Sequence, residues 1–237
     1  CVHAREGGFY GWKEGPGKQA RNTSIAHYIP AIEYITRLGG WVVRLGDSTM
    51  RPLPPMKNVI DYPITEYKSS LLDVHLIKEC NFYIGNNTGP WDVANLFGRP
   101  TVMPNMTDFS TGFPWRQGSL GILKQVYSLK DKKFLSVSEI LNISLSDRDR
   151  IMMSDEFQLQ ENTADEILCL VREYLDGNNG QKSITYLQEK VARARIESAN
   201  SIVNDIKLDP VEKNRQISRL LGCKGNISSQ YLEENWN

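Results

Sequence analysis

Over its first two thirds the chain alternates short apolar runs with segments of helical periodicity, and this alternation constrains the fold more than any other feature. "CVHAR", "WVVRLGD", "VIDYP", "FYIGN" and "PTVMPN" are short, largely apolar and bounded by turn-forming or charged residues. Between them, "IPAIEYITRLGG" repeats Ile29, Ile32, Ile35 and Leu38 at helical spacing, with Pro30 suited to a first turn and Gly39-Gly40 to a stop. "SSLLDVHLIKEC" crowds Leu71, Leu72, Val74, Leu76 and Ile77 on one side of a second helix, "RPLPPMKN" reads as a proline-rich turn, and "PWDVANLFG" as a third, shorter helix. Strands alternating with helices of this length imply βαβ units in a mostly parallel sheet. The expected fold class is α/β: a Rossmann-like parallel sheet with flanking helices.

The remainder reads differently. Residues 106–119 form a long loop, "LGILKQVYSL" holds a strand and "SVSEILN" a short helix. "ENTADEILCLVREYLDG" is a clear helix. Thr163 and Glu166 fit a capping box, Ile167, Leu168, Val171 and Leu175 form the stripe, and Gly177 ends it. After the turn "DGNNGQKS", two more helices follow, one striped by Ile184, Leu187, Val191, Ala194 and Ile202, the other opened by Asp209 and Pro210. The expected division is a Rossmann-like domain over 1–178 and a helical C-terminal extension over 179–237.

Charge and cysteine usage exclude several function classes. Lys+Arg and Asp+Glu both total 28, and this zero net charge argues against a general nucleic-acid binder. No apolar run approaches the roughly 20 residues that span a bilayer. The chain begins with Cys1 rather than Met, so the lack of a targeting segment carries no weight. Cys1, Cys80, Cys169 and Cys223 are dispersed, with no C-x-x-C pair, and His3, His27 and His75 form no metal signature. We expect no metal site, free and mostly buried thiols, and a cytoplasmic location.

Ligands of parallel sheets bind outside the carboxyl ends of the strands, which directs attention to "HAREGG", "RLGD", "DYP" and "IGNNTGP". In the last, Gly89 opens the backbone at a helix N-terminus, Asn86, Asn87 and Thr88 add uncharged hydrogen-bonding groups, and Pro90 fits the first turn. The combination suits an anion; the plain alternative is a tight turn with Thr88 as an N-cap. Arg5 sits where the first strand ends and has the planar fork that grips a diphosphate, with Gly7 allowing a close turn and Glu6 able to accept a proton. The alternatives are a surface ion pair for Arg5 and a hydrogen-bonded core position for His3. Gly46 and Asp47, or Asp61 and Tyr62, stand where a nucleoside would border the sheet, although Asp47 also fits an Asx-turn. Trp115 and Arg116 are residues that stack on sugars or bases. Lys190, Arg193 and Arg195 read as the solvated face of a helix.

"GNNTGPWDVANLFGRPTV" resembles the nucleotide-sugar motif in the C-terminal domain of GT-B glycosyltransferases of the heptosyltransferase type, and "CVHAREGGFYG" is similar to the His-x-Arg strand end of fucosyltransferase-type enzymes. The order of these motifs over about residues 1–145 resembles an uncharacterised bacterial glycosyltransferase family seen with surface-polysaccharide genes. The resemblance implies a donor-binding half whose Arg5 and Asn87–Gly89 turn hold the leaving diphosphate, with His3, Gly7, Gly46, Asp47 and Asn86 around the donor. In GT-B enzymes the acceptor and often the base lie in the N-terminal domain; within this chain Glu6 is the candidate base, and Trp115 and Arg116 the candidates for the acceptor side. The resemblance further implies a nucleotide-sugar donor and a glycan acceptor, no separate cofactor, a missing N-terminal GT-B domain and a place in the cytoplasm, peripheral to the inner membrane. The second-motif aspartate and the serine-rich turn of the fucosyltransferase pattern are only approximated. Metal-independent transfer is expected, the charge on the leaving diphosphate being met by Arg5 and the Asn87–Gly89 turn. Two rivals are a non-catalytic nucleotide-sugar or saccharide-binding module and an NAD(P)-binding domain; the latter lacks its G-x-G-x-x-G after the first strand.

Overall fold

The computed structural model describes residues 1–8, 15–109, 112–177, 183–203 and 209–237. The "FYGW" part of the first motif, Ser110-Thr111 of the long loop, and the turn at the expected boundary near 178 lie outside the described residues.

The expected strands and helices form in order. Strand β1 (Val2–His3) leads through the short helix α1 (Pro16–Gln19) to α2 (Ile29–Arg37), then to β2 (Val42–Arg44) and β3 (Val59–Asp61). In α2 the buried stripe is Ala31, Ile32 and Ile35, while Leu38 lies past the helix and is exposed. Helix α3 (Ser70–Glu79) follows, N-capped by Ser69. Of its expected apolar side only Ile77 is buried, and Leu71 is 82% exposed. At 100° per residue, positions 71, 72 and 74 spread around the cylinder and cannot share one face. Next come β4 (Tyr83–Gly85), α4 (Gly89–Leu96) and β5 (Thr101–Met106). "LGILKQVYSL" holds two strands rather than one: β6 (Leu120–Leu123) and β7 (Gln125–Ser128), hinged at the buried Lys124.

A second sheet, not anticipated, pairs β7 antiparallel with β8 (Lys133–Leu135) and β9 (Phe157–Gln160) in the order β8-β7-β9. Helices α5 (Val137–Asn142) and α6 (Leu145–Arg150) lie between β8 and β9. The capping box of α7 (Ala164–Asp176) is complete: Thr163 Oγ1 accepts from Glu166 N, and Thr163 N donates to the Glu166 carboxylate. Its buried stripe is Ile167, Leu170, Val171 and Tyr174, with Leu168 and Leu175 half-buried.

The long helices α8 (Tyr186–Val203) and α9 (Pro210–Gly222) pack together, and Asp209 caps α9 as expected. The C-terminal segment then re-enters the sheet. Strand β10 (Asn226–Ile227) pairs with β6, and α10 (Ser229–Asn235) buries Tyr231 and Leu232. The basic run of α8 is not uniformly solvated: Arg195 is buried, donates to Cys223 O and lies over the Phe113 ring. All four cysteines are free, but against the expectation of mostly buried thiols only Cys223 is buried and the other three are half-buried. Among the described residues no helix is long and apolar enough to cross a membrane.

The main sheet has seven parallel strands in the order β3-β2-β1-β4-β5-β6-β10. From β1 the chain builds outward to β2 and β3, then returns past β1 to place β4 on its other side. The order therefore reverses between β1 and β4. Loops leaving these two carboxyl ends diverge, and a crevice opens there.

Candidate functional site

Two cavities flank the N-terminus of α4 at this reversal, and Thr88 and Gly89 belong to both. The first, about 480 Å³, lies over the ends of β1 and β2. It gathers His3, Arg5, Glu6, Gly46, Asp47, Thr88 and Gly89 of the expected residues, with Lys68 and Asp73 in addition. The second, about 520 Å³, runs along α4 and holds Asn87, Trp115 and Arg116. Gly7 stays exposed on the turn after β1, and Asn86 is buried beneath the site. Asp61 and Tyr62 turn to other partners, described below.

His3 ends β1 in the floor of the first cavity and is only 7% exposed. Burial, and then the neighbouring Arg44 charge, push its pKa down to about 4, so the imidazole is neutral at neutral pH. Its Nδ1 has no hydrogen-bond partner among the described residues. A neutral ring with an unused nitrogen can serve a ligand hydroxyl without adding charge.

Arg5 and Glu6 are fixed by the protein itself. Arg5 is 8% exposed and donates from Nη1 to Lys18 O at 2.6 Å and to Asn22 Oδ1. It is a buried clamp, not a surface ion pair. Asn86 Nδ2 donates to Arg21 O at 2.6 Å, and Lys124 Nζ to Asn22 O at 2.6 Å. Three polar side chains from three strand ends thus hold the segment 18–22, and this places Arg21 at the second cavity. Glu6 accepts from Arg44 Nη2 at 3.2 Å and from Arg51 N at 2.9 Å. Arg44 is fully buried and also donates to Asp61 Oδ1 at 3.1 Å. Asp61 Oδ2 takes the Leu53 N–H, so this carboxylate belongs to the lock and not to a ligand site. Tyr62 is likewise buried, its hydroxyl accepting from Ser69 N. Asp47 forms the Asx-turn, accepting from Thr49 N at 2.8 Å, yet still lines the cavity. Gly46 has φ +155°, and a Cβ there would overlap Met50 Sδ.

The first turn of α4 is spare. Thr88 is its N-cap without a side-chain cap bond, and Thr88 O accepts from both Trp91 N and Asp92 N. Pro90 has no N–H. Gly89 is therefore the residue of the turn whose N–H stays available among the described residues, and a Cβ at Gly89 would meet nothing within 4 Å. Asn87 braces the turn, with Nδ2 donating to Gly112 O at 3.0 Å.

Several residues of the second cavity carried no sequence signal. Arg21, the α4 pair Trp91 and Asn95, and Arg219 come from three distant places in the chain. Arg116 donates through Nε and Nη2 to Asn95 O at the end of α4. Asp92 and Asp108 are the carboxylates of this cavity. Burial raises the Asp92 pKa, against the charges of Arg219 and Arg21. Arg44 was the one overlooked residue with a signal, since an arginine inside an apolar strand must bring its own partners. Among the described residues no cluster of three or more His, Cys, Asp or Glu side chains stands ready for a metal ion. Comparisons with family models, curated proteins and solved structures gave no match.

Proposed function

We propose that the chain is the donor-binding half of a nucleotide-sugar-dependent glycosyltransferase of GT-B type, transferring a sugar to a hydroxyl acceptor without a metal ion. The observation that carries this reading is the pair of cavities meeting at Thr88–Gly89 over the strand reversal. In this reading the diphosphate sits at Gly89, the nucleoside occupies the cavity of His3 and Asp47, and the sugar points toward the second cavity. Charge develops on the diphosphate as the glycosidic bond breaks. It is met by the Gly89 N–H, the N-terminal dipole of α4 and the buried charge of Arg5. Arg5 then acts mainly as a fixed field, because Nη1 is committed to Lys18 and Asn22.

The test is thermal denaturation with UDP, GDP, ADP and CMP and their sugar conjugates, with and without a chelator. The expected result is a rise in Tm for one nucleoside diphosphate, equal under both conditions. No shift with any nucleotide would overturn the reading, and a shift only with magnesium or manganese would overturn its metal-free part.

A second reading is favoured by Glu6. One oxygen of its carboxylate, Oε2, accepts from both Arg44 and the Arg51 N–H, which gives Glu6 a structural task in holding the segment at Arg51. Either the base comes from outside this chain, as the expected N-terminal domain would supply it, or the chain is a binding module. Nucleotide-sugar that binds but is never turned over with any acceptor, also in the longest form of the protein, selects the module.

A further inference from the structure

Helix α9 brings Arg219 into the second cavity. The backbone after it is zipped to the loop that carries Trp115 and Arg116. Lys224 N donates to Trp115 O at 2.9 Å, Gly225 N to Pro114 O at 3.1 Å and Asn226 N to Ser119 O at 3.0 Å. Trp115 also packs beside Gly222, where a Cβ would lie 3.5 Å from the indole. Arg219 and Trp115 are therefore held in one rigid wall. Opposite them stands α4 with Trp91 and Asn95.

Two features of this cavity point to a ligand. The first is unused polar capacity. Asn95 is only 9% exposed and its Oδ1 has no partner, and Trp91 Nε1 is likewise buried and unpartnered among the described residues. Buried polar atoms are rarely left in this state unless something else satisfies them. The second is charge. Arg21, Arg116 and Arg219 converge against Asp92 and Asp108, leaving a formal excess of one positive charge. No hydrogen bond or ion pair engages the Arg219 guanidinium among the described residues, and it is half-buried, so its field is less screened than that of a surface arginine. Indole faces suit the apolar face of a sugar ring, and a guanidinium fork suits a carboxylate or phosphate.

We propose that the second cavity binds an anionic saccharide, a pyranose-sized ring bearing a carboxylate or phosphate, with Arg219 pairing the acid group and Trp115 bordering the ring. That this ligand is the acceptor rests on the donor reading of the first cavity; the binding does not.

Calorimetric titration of the full chain with glucose, glucuronate, glucose 6-phosphate and inorganic phosphate tests it, with nucleoside diphosphates titrated separately. Glucuronate or glucose 6-phosphate should bind at least about tenfold more tightly than both glucose and inorganic phosphate. The better of the two identifies the acid group. Arg219→Gln should abolish that preference, Arg219→Lys should restore part of it, and neither should change nucleotide affinity. Equal binding of glucose and glucuronate with no gain for the phosphate ester would overturn the proposal, as would inorganic phosphate binding as well as the sugars. An unchanged preference in Arg219→Gln, or displacement of the sugar acid by nucleotide alone, would overturn it too. Sugar-acid binding without nucleotide binding would leave it standing while removing the donor reading.

Discussion

A buried guanidinium must find acceptors or stay solvated, and this rule reassigns the charged residues at the strand ends. From the sequence Arg5 is open to a ligand or a surface pair, and Arg44 carries no reading at all. Once buried, each is drawn to main-chain carbonyls and to the nearest polar side chain. What remains for a ligand in the first cavity is the Gly89 N–H and the neutral His3, whose Nδ1 has no partner among the described residues. Its folded pKa of about 4 lies below the ordinary 6.5, which has a signed consequence for stability. Above pH 6.5 both states are neutral at His3 and the residue costs nothing. As pH falls from 6.5 to 4, the unfolded chain takes up a proton that the folded chain refuses. The penalty grows to about 3 kcal/mol and is constant below pH 4. His3→Gln should therefore lose less stability than the parent between pH 7 and pH 4, by an amount of this order, in urea titrations at each pH. Parallel pH profiles for the two proteins would show that His3 titrates normally.

At the scale of the element, α4 is the piece on which the donor reading depends. Its first turn offers Gly89 N–H beside open space, a Pro at the second position and an N-cap whose side chain does not cap. Alanine has room at 89 and is the better helix former by up to about 1 kcal/mol. Gly89→Ala should thus leave the chain as stable as before, or slightly more so, by thermal denaturation. The added methyl occupies the space a diphosphate needs, so the nucleotide-induced rise in Tm should shrink or vanish. A mutant that keeps the full nucleotide shift would place the diphosphate elsewhere. The sequence made the strand–turn–helix at 82–97 legible, because an apolar run ending in small polar residues and proline has few other solutions. It did not reveal that Pro90 and the Thr88 O bonds leave the turn so few backbone donors, since hydrogen-bond sharing depends on the detailed path of the turn.

For the whole molecule, the segment after α9 is part of the sheet and core. Strand β10 pairs with β6, and Ile227, Tyr231 and Leu232 join the main core. Glu173 of α7 accepts from Ser228 Oγ and Ser229 N, tying the start of α10 to the domain. Each of the three buried side chains contributes roughly 1.5–3 kcal/mol, so the segment contributes roughly 4.5–9 kcal/mol. That is comparable with the whole stability of a typical domain, about 5–15 kcal/mol. A chain ending at Gly222 should fail to show a cooperative thermal transition by circular dichroism. Native-like melting of that truncation would mean the last fifteen residues are an appendage.

Local patterns determined much of this protein: the alternation that yields the parallel sheet, the capping box of Thr163 and Glu166, the Asp209 cap, and the turn at Asn86–Gly89. These depend on neighbours within a few residues, where periodicity and hydrogen-bonding chemistry act directly. The tertiary structure alone decided which groups meet across long separations. It set Arg44 between Glu6 and Asp61, split "LGILKQVYSL" at Lys124 between two sheets, and carried Arg219 to a cavity shared with Arg21 and Trp115. A single sequence states each residue's preference for burial or charge, but the partner is chosen by the packing of elements up to two hundred positions apart. Burial then compels every polar group it encloses to pair with whatever that packing supplies.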